Sequence, residues 1–377
     1  MRNMIDWQRI WDDDEIPCWY SPVKIIAYVI SFFYRLIINF RNWLYDHQIF
    51  KEVALACPVI SVGNITVGGT GKTPCVIMLA QMLRENGFKP AILSRGYGGK
   101  SINPVNIVSD GQKILLNSKI AGDEPFLIAN ALKDIPVITG AKRIITGKTA
   151  IDQFRADVLI CDDAMQHRQI FRDIDLVLLD SRSLSGKNHI LPRGRLREPI
   201  TELKRASAIV LTRADETRQT NGQIEKLFPA ENMPIFRSIH KLKDIVKGDY
   251  SAQKSISELQ GKKVCAFCGI ANPDSFRKTL SDADVQVLSF DIFSDHHRYS
   301  QGELEKIKAK FIDYRADFLI STQKDGARLQ EFPEFLNMIY LLRVEMKIIP
   351  QSDSFKKFIL DRLAVARKNK VTTRMPV

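Results

Sequence analysis

A glycine-rich segment at residues 63–74 carries the clearest chemical signal. It reads Gly-Asn-Ile-Thr-Val-Gly-Gly-Thr-Gly-Lys-Thr-Pro and follows the apolar run Pro58–Val62. Glycines let successive backbone N–H groups point at phosphate oxygens, and a following helix adds its positive dipole end. Lys72 can then reach the β- and γ-phosphates, and the Thr73 hydroxyl can ligate Mg²⁺. The residues expected to bind the nucleotide phosphates are Thr66, Val67, Gly68, Gly69, Thr70, Gly71, Lys72 and Thr73.

This loop departs from the strict phosphate-loop pattern, because Thr66 stands where the first glycine is usual. A loop of this kind needs a carboxylate at the end of a neighbouring strand. Asp162 and Asp163 end the apolar run that begins at Ala156, and ligands of open parallel sheets bind at that edge. One or both carboxylates can hold the Mg²⁺ that bridges the phosphates, although a solvated pair at a strand end remains the alternative.

Two acidic segments are candidates for acid–base chemistry. Asp123 lies in Gly-Asp-Glu-Pro, where it could cap a helix or accept a proton from a substrate hydroxyl. The second segment, Asp295-His296-His297, follows an apolar run and could be a loop pair or an oriented acid–base group. Spacing alone leaves both readings open.

A basic loop at Lys187–Pro199 contains Arg193, Arg195 and Arg197 among proline and glycine. Arginine forks match phosphate geometry, so the loop suits an anionic ligand, and a solvated surface loop is the alternative.

The elements that must position these residues alternate along the chain. Short runs rich in Val, Ile and Leu alternate with helical stretches, which predicts an α/β fold with a mostly parallel sheet. The predicted strands are Val59–Val62, Ala91–Ser94, Val105–Val108, Val137–Thr139, Val158–Asp162, Leu176–Asp180, Ala208–Thr212, Ile235–Ser238, Val264–Phe267, Val285–Phe290, Phe318–Ser321 and Ile339–Val344. The predicted helices are Lys72–Asn86, Glu124–Leu132, Arg143–Phe154, Gln223–Phe228, Asp274–Leu280, Gly302–Tyr314 and a basic amphipathic helix at Asp353–Lys370.

The composition is that of a globular protein. Of 377 residues, 45% are hydrophobic and 26% charged, which excludes a disordered chain or a polytopic membrane protein. The net charge of +12 points to nucleic acid, an anionic membrane or a phosphorylated substrate. Six cysteines are too few for a disulfide framework and fit a reducing cytoplasm. Cys265 and Cys268 form a C-x-x-C inside an apolar run, where buried inert thiols are favoured over a metal or redox site.

The segment Val23–Tyr45 is apolar and interleaved with aromatic and basic residues. A spanning helix needs about 20 apolar residues, whereas Ile25–Phe40 is shorter and contains Arg35. Aromatic and basic residues on an apolar helix suit the lipid headgroup region. We expect a membrane-associated helix, with spanning or interfacial placement open and a soluble core helix as the alternative.

Several motifs in one order resemble the tetraacyldisaccharide 4′-kinase family of lipid A synthesis. They are S-V-G-N-I-T-V-G-G-T-G-K-T-P, S-R-G-Y-G, G-D-E-P, C-D-D-A-M-Q-H, L-P-x-G-x-L-R-E-P, A-F-C-G-I-A-N-P, D-H-H and T-Q-K-D. The resemblance extends from about Ser21 to Val344. It implies a phosphate-loop NTPase-like core with a second, smaller α/β lobe, an active site in the cleft and an N-terminal membrane-associated helix. The expected domains are 1–50, 51–250 and 251–377.

The resemblance also implies an activity. An enzyme of this family transfers phosphate from ATP, with Mg²⁺, to the 4′-hydroxyl of a tetraacylated glucosamine disaccharide 1-phosphate and yields lipid IVA. We therefore expect a monomer at the cytoplasmic face of the bacterial inner membrane, with a lipid substrate and no nucleic acid partner. In the sequence, no nucleic-acid-binding motif accompanies the basic residues.

Site roles carry over from the resemblance residue by residue. Asp123 matches the general base and His296 its partner, and with Lys72 they form the catalytic set. The expected metal ligands are Thr73, Asp162, Asp163 and Glu198. The expected substrate-binding residues are Asn64, Tyr97, His167 and Arg197. If the base and its partner lie on different lobes, closure of the lobes assembles them.

Two other classes stay open from the residues alone. One is a phosphate-loop GTPase or ATPase switch, or a metal-insertion NTPase, because G-G-x-G-K-T loops also occur there. In addition, Leu211-Thr212-Arg213-Ala214-Asp215 and Thr322-Gln323-Lys324-Asp325 loosely resemble a guanine-reading motif. The other is a non-enzymatic protein that binds membrane or nucleic acid.

Overall fold

The structure, a computed structural model, describes residue 11 and residues 22–100, 103–183, 189–215 and 233–372. Helices and strands alternate through these residues. The helices are α1 Pro22–Asp46, α2 Lys72–Glu85, α3 Ser118–Ala121, α4 Asp123–Ala131, α5 Arg143–Phe154, α6 Pro273–Asp282, α7 Gln301–Asp313, α8 Gln323–Arg328, α9 Pro333–Leu336 and α10 Ser352–Thr372. The strands are β1 Val59–Asn64, β2 Pro90–Ser94, β3 Asn106–Ser109, β4 Val137–Thr139, β5 Val158–Asp162, β6 Ile174–Asp180, β7 Ala208–Thr212, β8 Ile235–Lys247, β9 Gln253–Lys254, β10 Lys263–Cys268, β11 Gln286–Ile292, β12 Phe318–Thr322 and β13 Ile339–Ile348.

The chain forms two compact units, each made of separate chain segments. The first unit contains Met1–Lys72, Ile160–Ile239 and Ile348–Val377. The second unit contains Thr73–Leu159 and His240–Lys347. The domain boundaries expected at residues 50 and 250 stay a prediction.

The first unit is built on parallel strands. Its strand order is β8–β7–β6–β1, with each neighbouring pair parallel. Every residue of β1, β6 and β7 is buried, as expected for strands covered on both faces. The end of β5 lies beside β1, where the Asp163 N–H donates to the Val62 carbonyl at 2.9 Å. The carboxyl ends of β1 and β5 therefore meet at one edge.

The second unit contains two groups of strands. In one group β2 and β4 are parallel, and β3 pairs antiparallel with β4. In the other group the parallel order is β11–β10–β12–β13, and β9 pairs antiparallel with the later part of β8. The predicted α/β fold with a mostly parallel sheet is confirmed.

Helix α1 turns a polar stripe inward and an apolar face outward. Its buried residues include Lys24, Ser31 and Asn42, whereas Ile37 is 65% exposed and Phe40 is 62% exposed. The core helix of a soluble protein has the opposite polarity. Among the helices that the structure describes, α1 alone is long and apolar enough to cross a membrane. The alternative of an ordinary core helix is therefore disfavoured.

Helix α10 packs on the first unit through one apolar stripe. Phe355, Ile359, Leu363 and Ala366 are buried at helical spacing. Phe355 meets Phe236 of β8 edge to face, with ring centroids 5.0 Å apart. The predicted amphipathic helix is confirmed, and its apolar side is occupied by protein.

Three details of the secondary structure differ from expectation or lie beyond test. Strand β8 continues past the predicted Ile235–Ser238 to Lys247, with residues 239–243 partly buried or exposed and residues 244–246 buried. The polar stretch Gln253–Gly261 contains β9 and a 3₁₀ helix, Ile256–Leu259, with a capping box. The helix predicted at Gln223–Phe228 lies outside the described residues.

Cys265 and Cys268 are free, buried thiols, and burial raises the pKa of Cys268 to about 12, which makes it unreactive.

Candidate active site

The glycine-rich segment forms a curled loop between β1 and α2. Gly68 and Gly71 have positive φ angles of 119° and 86°, which side chains rarely tolerate. A Cβ atom at Gly68 would touch nothing within 4 Å, so the glycine is needed for its backbone angle and not for space. Loop residues 65–67 pair with the basic loop, since the Val67 N–H donates to the Arg195 carbonyl at 2.8 Å and the Arg197 N–H to the Ile65 carbonyl at 2.7 Å.

Lys72 begins α2 and points back over the loop. Its ammonium donates to Asn64 Oδ1 at 3.2 Å and lies 3.6 Å from Asp163 Oδ1. Asn64 in turn donates to the Thr66 carbonyl at 2.7 Å. The loop curvature, the lysine and the end of β1 therefore form one hydrogen-bonded unit that presents N–H groups and a cation to phosphate.

Asp163 is held between two cations. Arg197 Nη1 donates to Asp163 Oδ1 at 2.9 Å and to Oδ2 at 3.0 Å. Burial raises the pKa of Asp163, but the charges of Lys72 and Arg197 lower it more, so its pKa lies below the ordinary value. Asp163 therefore stays ionised at neutral pH and fixes both cations in the loop region.

Asp162, the last residue of β5, is 1% exposed, and the half-buried His167 lies five residues further along the same loop. This loop approaches β1 closely, since a Cβ atom at Gly63 would lie 2.6 Å from Met165 Cβ. The oxygen donors Thr73, Asp162 and Asp163 suit Mg²⁺, which usually takes one or two carboxylates plus substrate phosphates. Within the described residues no cluster of three or more His, Cys, Asp or Glu side chains could hold a metal alone.

Glu198, an expected metal ligand, is in contact with two arginine side chains. Its side chain is fully buried, and its two carboxylate oxygens accept hydrogen bonds from Arg41 of α1 and from Arg205. Tyr34 of α1 also donates to the Arg197 carbonyl at 3.1 Å. Helix α1 therefore anchors the basic loop from which Arg197 reaches Asp163, and the contacts of Glu198 favour an anchoring role.

Replacing Glu198 with Ala is expected to lower the free energy of unfolding by about 3 kcal/mol in the absence of metal, since Arg41 loses its carboxylate partner and Arg205 keeps only Glu202, at 3.0 Å. Chemical denaturation in EDTA measures the change. Glu305→Ala, at an exposed position of α7, is the control and should change it by less than about 0.5 kcal/mol. An unfolding free energy of Glu198→Ala equal to that of the wild type in EDTA would argue for a metal ligand instead.

A second cluster, in the second unit, surrounds Asp123. His296 Nδ1 lies 3.7 Å from Asp123 Oδ2, and Arg328 Nε donates to the same oxygen at 2.8 Å. Burial raises the pKa of Asp123, but His296 and Arg328 together lower it by more than burial raises it. The pKa of Asp123 therefore lies below the ordinary value. Asp123 is thus an ionised acceptor at neutral pH, with its side chain 25% exposed.

The helix-capping alternative for Asp123 is wrong. Gly122 is the N-cap of α4, no side chain caps it, and Asp123 is the first helical residue. The expectation that Asp123 and His296 meet only on closure is also wrong, because both lie in the second unit and are already adjacent.

Tyr97 is the most exposed of the expected substrate-binding residues, with 80% of its surface accessible. It lies between Gly96 and Gly98, both of which have positive φ angles. The Tyr97 carbonyl lies 2.6 Å from where a Cβ atom of Gly122 would be, so this turn packs against the start of α4. A side chain displayed beside Asp123 in this way is free to contact a ligand.

Sequence reasoning missed several residues that hold the two clusters. Gln166 donates to the Asn64 carbonyl at 3.0 Å, and Arg213 donates to the Gly69 carbonyl at 3.1 Å and to Asp180. Arg328 is the third. The two segments that loosely resembled guanine-reading motifs have structural contacts instead. Arg213 donates to the phosphate loop, and Asp325 is fully buried. Arg213 could have been found from the sequence, because it directly follows a predicted strand and ligands of parallel sheets bind at the carboxyl ends of strands.

Comparisons with known proteins agree with these motifs. The family model for tetraacyldisaccharide-1-P 4′-kinase matches residues 23–364. The chain is 42% identical to the tetraacyldisaccharide 4′-kinase of Syntrophus aciditrophicus, over 94% of this chain and 97% of that protein. It is 40% identical to the enzyme of the same name from Desulfotalea psychrophila, over 81% and 88%. A crystal structure of LpxK from Aquifex aeolicus in complex with ATP is similar, with 32% identity, a TM-score of 0.73 and coverage of 90% of this chain and 99% of that one.

Proposed function

The chain belongs to the tetraacyldisaccharide-1-P 4′-kinase family, and on that premise we propose that it transfers the γ-phosphoryl group of ATP to the 4′-hydroxyl of tetraacyldisaccharide 1-phosphate and so produces lipid IVA in lipid A synthesis. The observation that carries this proposal is the family match over residues 23–364, which includes both the phosphate-loop cluster and the Asp123 cluster. The two clusters supply the two requirements of phosphoryl transfer, charge neutralisation and a positioned hydroxyl.

The phosphate-loop cluster supports ATP as the phosphoryl donor. The loop N–H groups and the ammonium of Lys72 would bind the β- and γ-phosphates. Asp163 lies 3.6 Å from the Lys72 ammonium, and Arg197 holds Asp163 in turn at 2.9 Å. Because these charges are fixed before the nucleotide arrives, they neutralise the transferred group without reorganising.

Mg²⁺ fits the same region by the chemistry of its donors. Thr73 follows Lys72 directly, and Asp162 and Asp163 supply carboxylates, so these residues would hold the ion together with phosphate oxygens. When bound, Mg²⁺ neutralises charge on the phosphates. We assign Glu198 an anchoring role, because Arg41 and Arg205 occupy both of its oxygens.

The Asp123 cluster supports the acceptor side of the reaction. Asp123 would accept the proton of the 4′-hydroxyl, whose oxygen then attacks the γ-phosphorus. Tyr97, at 80% exposure beside Gly122, is the substrate contact we favour. Asn64 and Arg197 make internal contacts to Lys72 and Asp163, so we assign them to positioning, whereas His167 remains a candidate for substrate contact.

We further propose that α1 lies in the membrane interface on the cytoplasmic face of the inner membrane. One side of α1 is bound to the basic loop at Ser31, Tyr34 and Arg41. Its other side is apolar and exposed along its length, with Arg35 able to extend to headgroups. A helix bound to protein along one side and apolar along the other fits a position at the surface better than a spanning one. This placement brings the enzyme to a lipid substrate.

The double substitution Phe33→Glu with Ile37→Glu is expected to weaken binding to vesicles that contain anionic lipid by roughly 100-fold. Removing two inserted apolar side chains loses about 3 kcal/mol or more. Co-sedimentation with vesicles measures the change, and Ile312→Glu, at an exposed apolar position of α7, is the control. Unchanged sedimentation of the double variant would contradict the interfacial placement.

A nucleotide switch and an acceptor kinase differ in one property, which is whether nucleotide consumption depends on the acceptor. We expect purified protein to consume ATP in the presence of the lipid acceptor, to consume little ATP without it, and to stop when Mg²⁺ is chelated. A rate of GTP hydrolysis that is the same with and without the lipid acceptor would instead favour a nucleotide switch.

A further inference from the structure

Arg328 links Asp123 and His296 and belongs to none of the expected site residues. Its side chain is only 4% exposed, and its guanidinium group is fully engaged in the second unit. Nε donates to Asp123 Oδ2 at 2.8 Å, and Nη2 lies 3.3 Å from His296 Nδ1. Nη1 donates to the Gly269 carbonyl at 2.5 Å and to Asp325 Oδ1 at 3.4 Å. The arginine is therefore held from behind and directed at both acid–base groups.

Asp325 is the support behind Arg328. It is fully buried and accepts hydrogen bonds from the Gly269 N–H at 3.0 Å, from the Tyr299 hydroxyl at 2.9 Å and from the Thr322 hydroxyl at 2.6 Å. Burial and the Asp325 charge raise the pKa of Tyr299, so its hydroxyl remains a donor. Two motifs without a role of their own, A-F-C-G-I-A-N-P and T-Q-K-D, supply Gly269, Thr322 and Asp325. Residues of both motifs therefore help to orient the Arg328 side chain.

We propose that Arg328 is a positioning residue that fixes one oxygen of Asp123 and one nitrogen of His296, so that the other Asp123 oxygen faces the acceptor hydroxyl. This inference rests on the proposed kinase function. Among the described residues, every side-chain contact of the Asp123 carboxylate is made by Oδ2. Oδ1 is thus available to take the proton as the O–H bond breaks, and the bonding pair stays on the attacking oxygen.

The same contact sets the tautomer of His296. A guanidinium group has donors and no acceptor. Nδ1 of His296, at 3.3 Å from Arg328 Nη2, can accept from this group only as the unprotonated nitrogen, which would place the ring proton on Nε2. Nε2 is 3.9 Å from Asp295 Oδ2. In this arrangement the short hydrogen bond to Asp123 comes from Arg328 at 2.8 Å, whereas His296 Nδ1 is 3.7 Å away, and Asp123 receives the hydroxyl proton.

The other charges near Asp123 do not replace this role. On α4, Glu124 is paired with Lys324 of α8 at 3.1 Å, and both are about one-third exposed. Asp295 faces the far nitrogen of His296, and Asp325 faces Arg328. Among the described residues, Arg328 is thus the one Lys or Arg side chain in contact with the Asp123 carboxylate.

The test compares Arg328→Met and Arg328→Lys with Lys324→Met, which removes a neighbouring cation that does not touch Asp123. In the wild type, ¹⁵N spectra of histidine-labelled protein should show His296 with an unprotonated Nδ1, assigned by the signal missing in His296→Asn. In Arg328→Met the proton is expected to move to Nδ1, where it can donate to Asp123. Lys324→Met should keep the wild-type tautomer.

Kinetics provide the second readout. Arg328→Met should lower kcat by about 10- to 100-fold with an unchanged KM for ATP, and the acid limb of its pH profile should move upward because Asp123 loses its cation. Arg328→Lys, which keeps the charge without the fork, should fall between. A wild-type tautomer and a wild-type kcat in Arg328→Met would overturn the proposal, and if that variant does not fold, the same result in Arg328→Lys would do so.

The two claims can fail separately. If the wild type transfers no phosphate to the lipid but the tautomer of His296 still depends on Arg328, the proposed kinase function is wrong and the positioning of His296 by Arg328 is supported. If transfer occurs, and both the tautomer of His296 and kcat are the same in the Arg328 variants as in the wild type, only the positioning role is wrong.

Discussion

Asp123→Asn is expected to lower the kcat of phosphoryl transfer by about 10²- to 10⁴-fold, the usual contribution of a positioned general base. The amide can still accept a hydrogen bond from Arg328 Nε, now 2.8 Å from Asp123 Oδ2, so the local geometry should persist. What the substitution removes is the ability to take a proton. ATP binding should stay near wild type, since the contacts of the Asp123 carboxylate among the described residues are with His296 and Arg328.

Steady-state transfer to the lipid acceptor, together with calorimetric ATP binding, measures both expectations. Glu124→Gln is the matched control, because it neutralises the adjacent carboxylate, which pairs with Lys324 instead. We expect its kcat within about threefold of the wild type. A kcat for Asp123→Asn as high as that of Glu124→Gln would show that Asp123 is not the base.

Lys72→Met is expected to lower kcat by about 10²- to 10³-fold, the typical effect of losing one preorganised donor to a developing charge. Its ammonium is fixed by Asn64 at 3.2 Å and by Asp163 at 3.6 Å, so the charge is already placed for the phosphates. The substitution also leaves Asp163 with Arg197 as its remaining cation. The pKa of Asp163 should then rise toward the ordinary value, because Lys72 is the larger of the charge effects that lower it.

The same transfer assay, run over a range of ATP concentrations, separates the loss of kcat from the loss of ATP affinity. Lys204→Met, at an exposed position, removes the same charge without touching the loop and should keep wild-type kinetics. If Lys72→Met and Lys204→Met behave alike, the glycine-rich segment is not the phosphate site of this reaction.

The sequence predicted those parts of the structure that local pattern determines. The phosphate loop is a run of adjacent residues whose glycines impose backbone angles, and Gly68 and Gly71 adopt them. The carboxylates of Asp162 and Asp163 follow from one apolar run that ends at the edge of a sheet. The predicted β8 ended at Ser238, because the charged residues Lys241, Lys243 and Asp244 interrupt the apolar signal of its later part.

Contacts between distant residues could not be predicted in the same way. Arg328 and Asp123 are 205 residues apart, and Arg41 and Glu198 are 157 apart. Such pairs depend on which loops the fold brings together, and no local pattern encodes that. The hydropathy of α1 likewise indicated an apolar helix, but the inward polar stripe depends on the hydrogen-bonding groups of the basic loop that packs against it.

The position of the transferred phosphate tests the central claim most directly. Purified protein is incubated with γ-labelled ATP, Mg²⁺ and tetraacyldisaccharide 1-phosphate, and the lipid product is mapped by phosphorus–proton correlation. We predict one new phosphate ester, on the 4′-oxygen, and none of this product with Asp123→Asn over the same time. Absence of label from the lipid, under conditions in which the protein binds ATP, would contradict the account.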